Sequence, residues 1–111
     1  VTEREELELA AKAGGIEGRY TDYEDDFGRI AGIKRGNWRI WNPRTNDSHA
    51  LQLAVKLGIS IRFCPETDSV ICSKDVGLSR FEEVDGMDGH GVRSAITRVA
   101  VALAIAQGGA G

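Results

Sequence analysis

The side chains able to do chemistry are few and far apart. His49 follows Asp47 by two positions, a pairing that could give an imidazole general base oriented by a carboxylate. No serine or cysteine stands at nucleophile spacing, so a surface histidine in a polar helix start is the plainer reading. His90 lies in a loop and is read the same way. Cys64 and Cys72 are the only cysteines, with no Cys-x-x-Cys or His-x-x-x-His beside them, so zinc finds little support. Across a turn near Asp68 the two could face each other, and a reducing cytosol would keep them as thiols. The acids of Asp22-Tyr23-Glu24-Asp25-Asp26 lack the alternating spacing and closing glutamate that wrap calcium. Gly86, Gly89 and Gly91 precede a helix as in phosphate loops. Their spacing fits no phosphate motif, however, and Asp85 and Asp88 would repel the ligand, so helix initiation accounts for them better. These residues predict no catalytic group, no cofactor and no metal, and the protein is not expected to be an enzyme.

One stretch is of a different kind. Arg29, Lys34, Arg35, Trp38, Arg39, Trp41 and Arg44 interleave cations and aromatics, the composition of a platform for single-stranded nucleic acid. Against that reading stand a net charge of −3 and an isoelectric point near 5.4, whereas nucleic-acid-binding domains are usually basic. At least one tryptophan face must also serve the core. The charge itself is divided. Residues 1–26 hold nine acids and three bases, while the remainder holds eight acids and eleven bases. Such polarity is satisfied by an acidic arm lying on a basic sheet, or by a head-to-tail contact between copies, and the intramolecular or solvated reading is the simpler.

The elements that must position these residues are legible in outline. Thr2-Glu3-Arg4-Glu5 has the form of a capping box, and Leu7, Ala10 and Ala11 follow at helical spacing. This predicts a helix over residues 3–13, ended by Gly14-Gly15. Residues 16–27 read as an acidic loop or irregular arm. Residues 27–33 and 37–41 read as strands joined by Gly36-Asn37, with Arg39 and Trp41 on one face and Trp38 and Ile40 on the other. A second helix is expected over residues 48–57. Ile59, Ile61 and Phe63 alternate into a hairpin with residues 70–73, and Leu78, Phe81 and Val84 mark a weaker segment. A closing helix is expected over residues 91–107. The predicted fold is α+β, in the order α-β-β-α-β-β-(β)-α: one small antiparallel sheet of four to five strands packed with three helices.

The chain has 111 residues, enough for one domain over 1–111 with a frayed tail at 108–111. Its 14 glycines are an excess, but two prolines and no repeat exclude collagen-like or low-complexity sequence. No apolar run is long enough to span a membrane and no leader pattern is seen, so a cytoplasmic location is expected.

The stretch Trp41-Asn42-Pro43-Arg44-Thr45-Asn46-Asp47-Ser48-His49-Ala50-Leu51-Gln52-Leu53-Ala54 resembles a group of small proteins encoded by tailed bacteriophages and prophages. That group shows a tryptophan, Asn-Pro, a short acidic turn, then an Ala-Leu-x-Leu-Ala helix. The similarity covers residues 38–61, and more loosely 88–107, where Arg93 to Ala100 resembles the group's alanine-rich closing helix. Asp88-Gly89 departs from the group's usual Asp-Pro. The resemblance implies an α/β/α sandwich and an accessory role in a bacterial host cell, and it carries no catalytic motif.

Val99 to Ala106 contains no polar side chain. A helix apolar all round is buried all round, so another element or a second copy must cover it. The expectation is an accessory protein acting by self-association or protein binding, a dimer first, through Val99, Leu103 and Ile105 on the closing helix and Trp38, Arg39 and Trp41 on the sheet. Single-stranded nucleic-acid binding through residues 29–44 is the alternative.

Overall fold

A computed structural model of the chain describes residues 2–36 and 39–108. Helix α1 spans Glu3–Gly14. The Thr2 hydroxyl accepts the Glu5 amide at 3.1 Å and is itself 3.1 Å from Glu5 Oε1, so the expected box closes on the hydroxyl. Helix α2 spans Asp47–Leu57 and is capped by Asn46. Both helices stop alike. Gly15 and Gly58 sit at φ of 68° and 69°, and Ile16 and Ile59 donate back to Ala11 and Ala54 at 2.8 and 2.9 Å. That is a Schellman stop, in which the left-handed position favours glycine.

Strands β1 (Arg19–Asp25), β2 (Gly28–Arg35) and β3 (Arg39–Trp41) form one antiparallel meander. Strands β4 (Ser60–Cys64), β5 (Ser69–Val76) and β6 (Ser79–Gly86) form a second. The α+β class stands, but the single sheet of four to five strands is corrected to two sheets of three. The acidic segment expected as a loop contains β1, whose Arg19 to Asp25 pair with Lys34 to Gly28. The weak segment around Phe81 is β6, paired with β5 over eight positions. Both strands were hard to read because they are edge strands with mostly exposed side chains, so little apolar alternation marks them.

The chain thus runs helix and three-stranded meander twice, then closes with α3 (Gly89–Gly108). The two units match in detail. Leu7, Ala10 and Ala11 are the buried face of α1, and Ala50, Leu53 and Ala54 hold the same spacing on α2. This architectural repeat is not apparent in the residue string.

Helix α1 rests on β1 and β2. Helix α3 packs on β5, β6 and both other helices. One buried cluster draws from all three helices and both sheets, including Leu7, Ile33, Trp41, Leu53, Val70 and Val99. Most of the apolar half of α3 is covered within the chain: Ile105 and Ala106 stay exposed, whereas Val99, Ala100, Val101, Leu103 and Ala104 are buried. A second copy is not needed to shield them. Arg98 fastens α3 to β6, its Nη2 donating to Val84 O and Asp85 Oδ2 at 3.0 Å each. Its Nε lies 3.2 Å from Glu83 Oε1, close enough to pair but out of line for a hydrogen bond. Among the described residues no helix is long and apolar enough to cross a membrane.

Candidate functional site

The junction between β3 and α2 is built by two asparagines. Asn42 is buried; its Nδ2 donates to Ala31 O at 2.9 Å and its Oδ1 accepts the Arg44 amide at 2.9 Å. Its own backbone N–H donates to His49 Nδ1 at 3.0 Å. Asn46 Oδ1 accepts the His49 amide at 3.0 Å. The His49 ring also stacks near Trp41, with centroids 6.3 Å apart and planes at 29°. Backbone, ring nitrogen and ring face are thus all fixed. Burial holds the imidazole below its ordinary value, and the Arg35 charge pushes the same way. The Asn42 bond needs the Nδ1 lone pair, so it too favours a neutral ring with its proton on Nε2.

Two cavities, of about 430 and 480 Å³, share Ile40, Asn46 and His49 and form one groove along β3. The first contains the Glu3–Arg29 ion pair, at 3.3 Å. The second has Arg35 and Arg39 as its only charged lining, with Ser48 and Gln52 supplied by α2. These arginines sit directly opposite each other across β2 and β3. Among the described residues no acid pairs with either.

Two further cations of the basic stretch, Arg29 and Arg44, are already paired. Arg29 grips Asp22 at 2.8 and 2.9 Å, holding that carboxyl below its usual range, and reaches Glu3 as well. Arg44 lies 3.3 Å from Glu6 and 3.7 Å from Glu3. The acidic arm and the basic sheet therefore neutralise each other only in part: Glu3, Glu6 and Asp22 meet Arg29 and Arg44, while Lys34, Arg35 and Arg39 have no acid partner among the described residues. Trp41 is only 3% exposed and belongs to the core, as do Val99 and Leu103 at 0% and 2%. Of the residues expected to make contacts, Arg39 lines the groove and Ile105 is half exposed. Trp38, and the tail at 109–111, lie outside the described residues.

The other constellations come apart. Asp47 does not orient His49; it takes Arg93 Nη1 at 2.7 Å, while Arg93 Nε donates to Arg44 O and ties α3 to the start of α2. Cys64 pairs with Ser69, and Cys72 lies between Ile61 and Glu83, so alternation puts the two thiols on opposite faces of the sheet. Burial pushes the Cys72 thiol up to about 11, which leaves it protonated and unreactive near neutrality. Gly89 and Gly91 lie inside α3, and the Gly91 amide is taken by Asp88 Oδ1 at 2.6 Å. A carboxylate of the chain itself fills the place a phosphate would need. Among the described residues no cluster of three metal-ligating side chains exists. Sequence reasoning missed Asn42, whose one signal was its place between a strand-ending tryptophan and a proline.

Fold and site together define a small α+β protein of two helix-plus-meander units with a polar, cationic groove beside a neutral histidine. Neither family models, nor curated proteins, nor solved structures match this chain.

Proposed function

We propose that the protein acts by association, without a catalytic step, and that the β3–α2 groove receives a negatively charged segment of its partner. The observation that supports this is the Arg35–Arg39 pair. Like charges directly opposite on a sheet repel, and this pair lines a cavity, whereas Arg29, Arg44 and Arg93 nearby are each matched by an acid. A bound carboxylate or phosphate would relieve that repulsion. The resemblance of residues 38–61 to tailed-phage and prophage proteins suits an accessory role of this kind in the bacterial cytoplasm. Single-stranded nucleic acid is the other anion to consider. It is disfavoured because Arg29 and Arg44 are paired and Trp41 is buried, which removes cations and a stacking surface.

The test is fluorescence anisotropy at low salt with two labelled probes, a glutamate- and aspartate-rich peptide and a single-stranded oligonucleotide. The peptide should bind, weaken as salt rises, and lose at least about tenfold in affinity in the R35E/R39E variant. Tighter binding of the oligonucleotide would transfer the groove to nucleic acid. Absence of binding by either probe would sink the proposal.

A further inference from the structure

The chain itself carries a segment complementary to the groove. Its β1–β2 turn carries Glu24, Asp25, Asp26 and Phe27. Phe27 is 99% exposed, and Asp25 Oδ1 accepts its amide at 2.8 Å, which shapes the tip. Among the described residues these three acids have no cationic partner. The tip is therefore a large apolar side chain set among unmatched carboxylates. The groove is its complement: two unmatched guanidinium groups beside a cavity of about 480 Å³ with Ile40, Trp41 and His49 in its lining. By contrast, the exposed Leu78 at the β5–β6 turn is followed by Ser79 and Arg80 and offers no such match.

The tip and the Arg35–Arg39 end of the groove lie at opposite ends of β2, from Gly28 to Arg35. Seven residue steps of strand separate them by about 23 Å, so the tip of a chain cannot reach its own Arg35 and Arg39. We infer that the β1–β2 tip of one copy docks in the β3–α2 groove of the next, with Phe27 entering the cavity and Glu24, Asp25 and Asp26 facing Arg35 and Arg39. The inference rests on the groove being an anion-accepting surface, as proposed above, and names its partner as a second copy of this chain. Because donor and acceptor surfaces differ, the contact is head-to-tail, and it propagates into a string or closes into a ring. It uses only a hairpin tip, so the association is weak and salt-sensitive.

Sedimentation velocity on the full chain, from micromolar to millimolar concentration at low and high salt, tests it. The mass should rise with concentration at low salt and fall back to monomer at high salt. A tip variant, E24K/D25K/D26K, and the groove variant, R35E/R39E, should each need at least about tenfold higher concentration to associate. Mixed in equal amounts, they should associate again, because each tip then meets a groove of opposite charge. Restored assembly also shows that both variants are folded. F27S should weaken association at low salt, where the charges are intact. A wild type that stays monomeric throughout, or one whose assembly ignores both charge variants, overturns the inference. In either case, retained binding of the acidic peptide would leave the groove reading standing, and its loss would remove both.

Discussion

Burial and the nearby Arg35 charge make protonation of His49 unfavourable, and this has a consequence for stability. Its folded value lies below the ordinary 6.5, so the unfolded chain takes up a proton first as pH falls. The contribution is complete above about 6.5 and is lost as pH drops through the folded value. We expect an H49Q variant, which keeps an acceptor for the Asn42 N–H, to show a flatter fall of unfolding free energy below about 6.5 than wild type. Urea titrations at several pH values would check it, and equal slopes for the two proteins would discount His49. The sequence offered Asp47 as an orienting partner for His49 and favoured a plain surface histidine, whereas the ring is half-buried. The real partners are set by the turn after β3, where a backbone amide and an aromatic ring arrive from residues 41 and 42. Side-chain direction at a helix start depends on such packing, which spacing alone does not encode.

Within α3, position along the helix decides which residues matter. Leu103 is buried and Ile105 is 49% exposed. L103A should cost about 2–5 kcal/mol by opening a cavity, and I105A under about 1 kcal/mol. Thermal or urea unfolding of the pair distinguishes them, and comparable losses would mean that Ile105 is covered in solution. The start of the helix gives a sharper contrast. A Cβ on Gly91 would collide with the Gly86 backbone where β6 meets α3, whereas one on Gly89 meets only the movable Arg93 guanidinium at 3.1 Å. We expect G91A to destabilise by about 1–3 kcal/mol or more, and G89A to stay within about 0.5 kcal/mol of wild type. The helices were legible because caps, stops and apolar spacing are local and lie within a few residues of one another. Strands β1 and β6 were not, because an exposed edge strand is defined by its hydrogen-bonded neighbour more than by its own side chains.

At the scale of the molecule, the division into two sheets could not be read from the residues. It depends on which strands meet across α2, and no local pattern states that β3 and β4 fail to pair. Nor did the charge balance show that only Glu3, Glu6 and Asp22 of the acidic first segment would meet Arg29 and Arg44. The resulting stability should be uneven. The buried amides of α3 and of central β5 should exchange slowest with deuterium, and those of the edge strand β1 among the fastest in the sheets. Protection of β1 equal to that of α3 would count against this layout.

The position of α3 in the chain also sets an order of events. Helices α1 and α2 bury their apolar faces against an element that is synthesised after both of them and after all six strands. The two meanders can close their local ladders as they emerge, but the cluster holding Leu7, Ala10, Leu53 and Val70 is completed only by residues 95–104 of α3. Until α3 emerges, a nascent chain exposes part of this apolar surface, and cooperative folding of these elements waits on that helix.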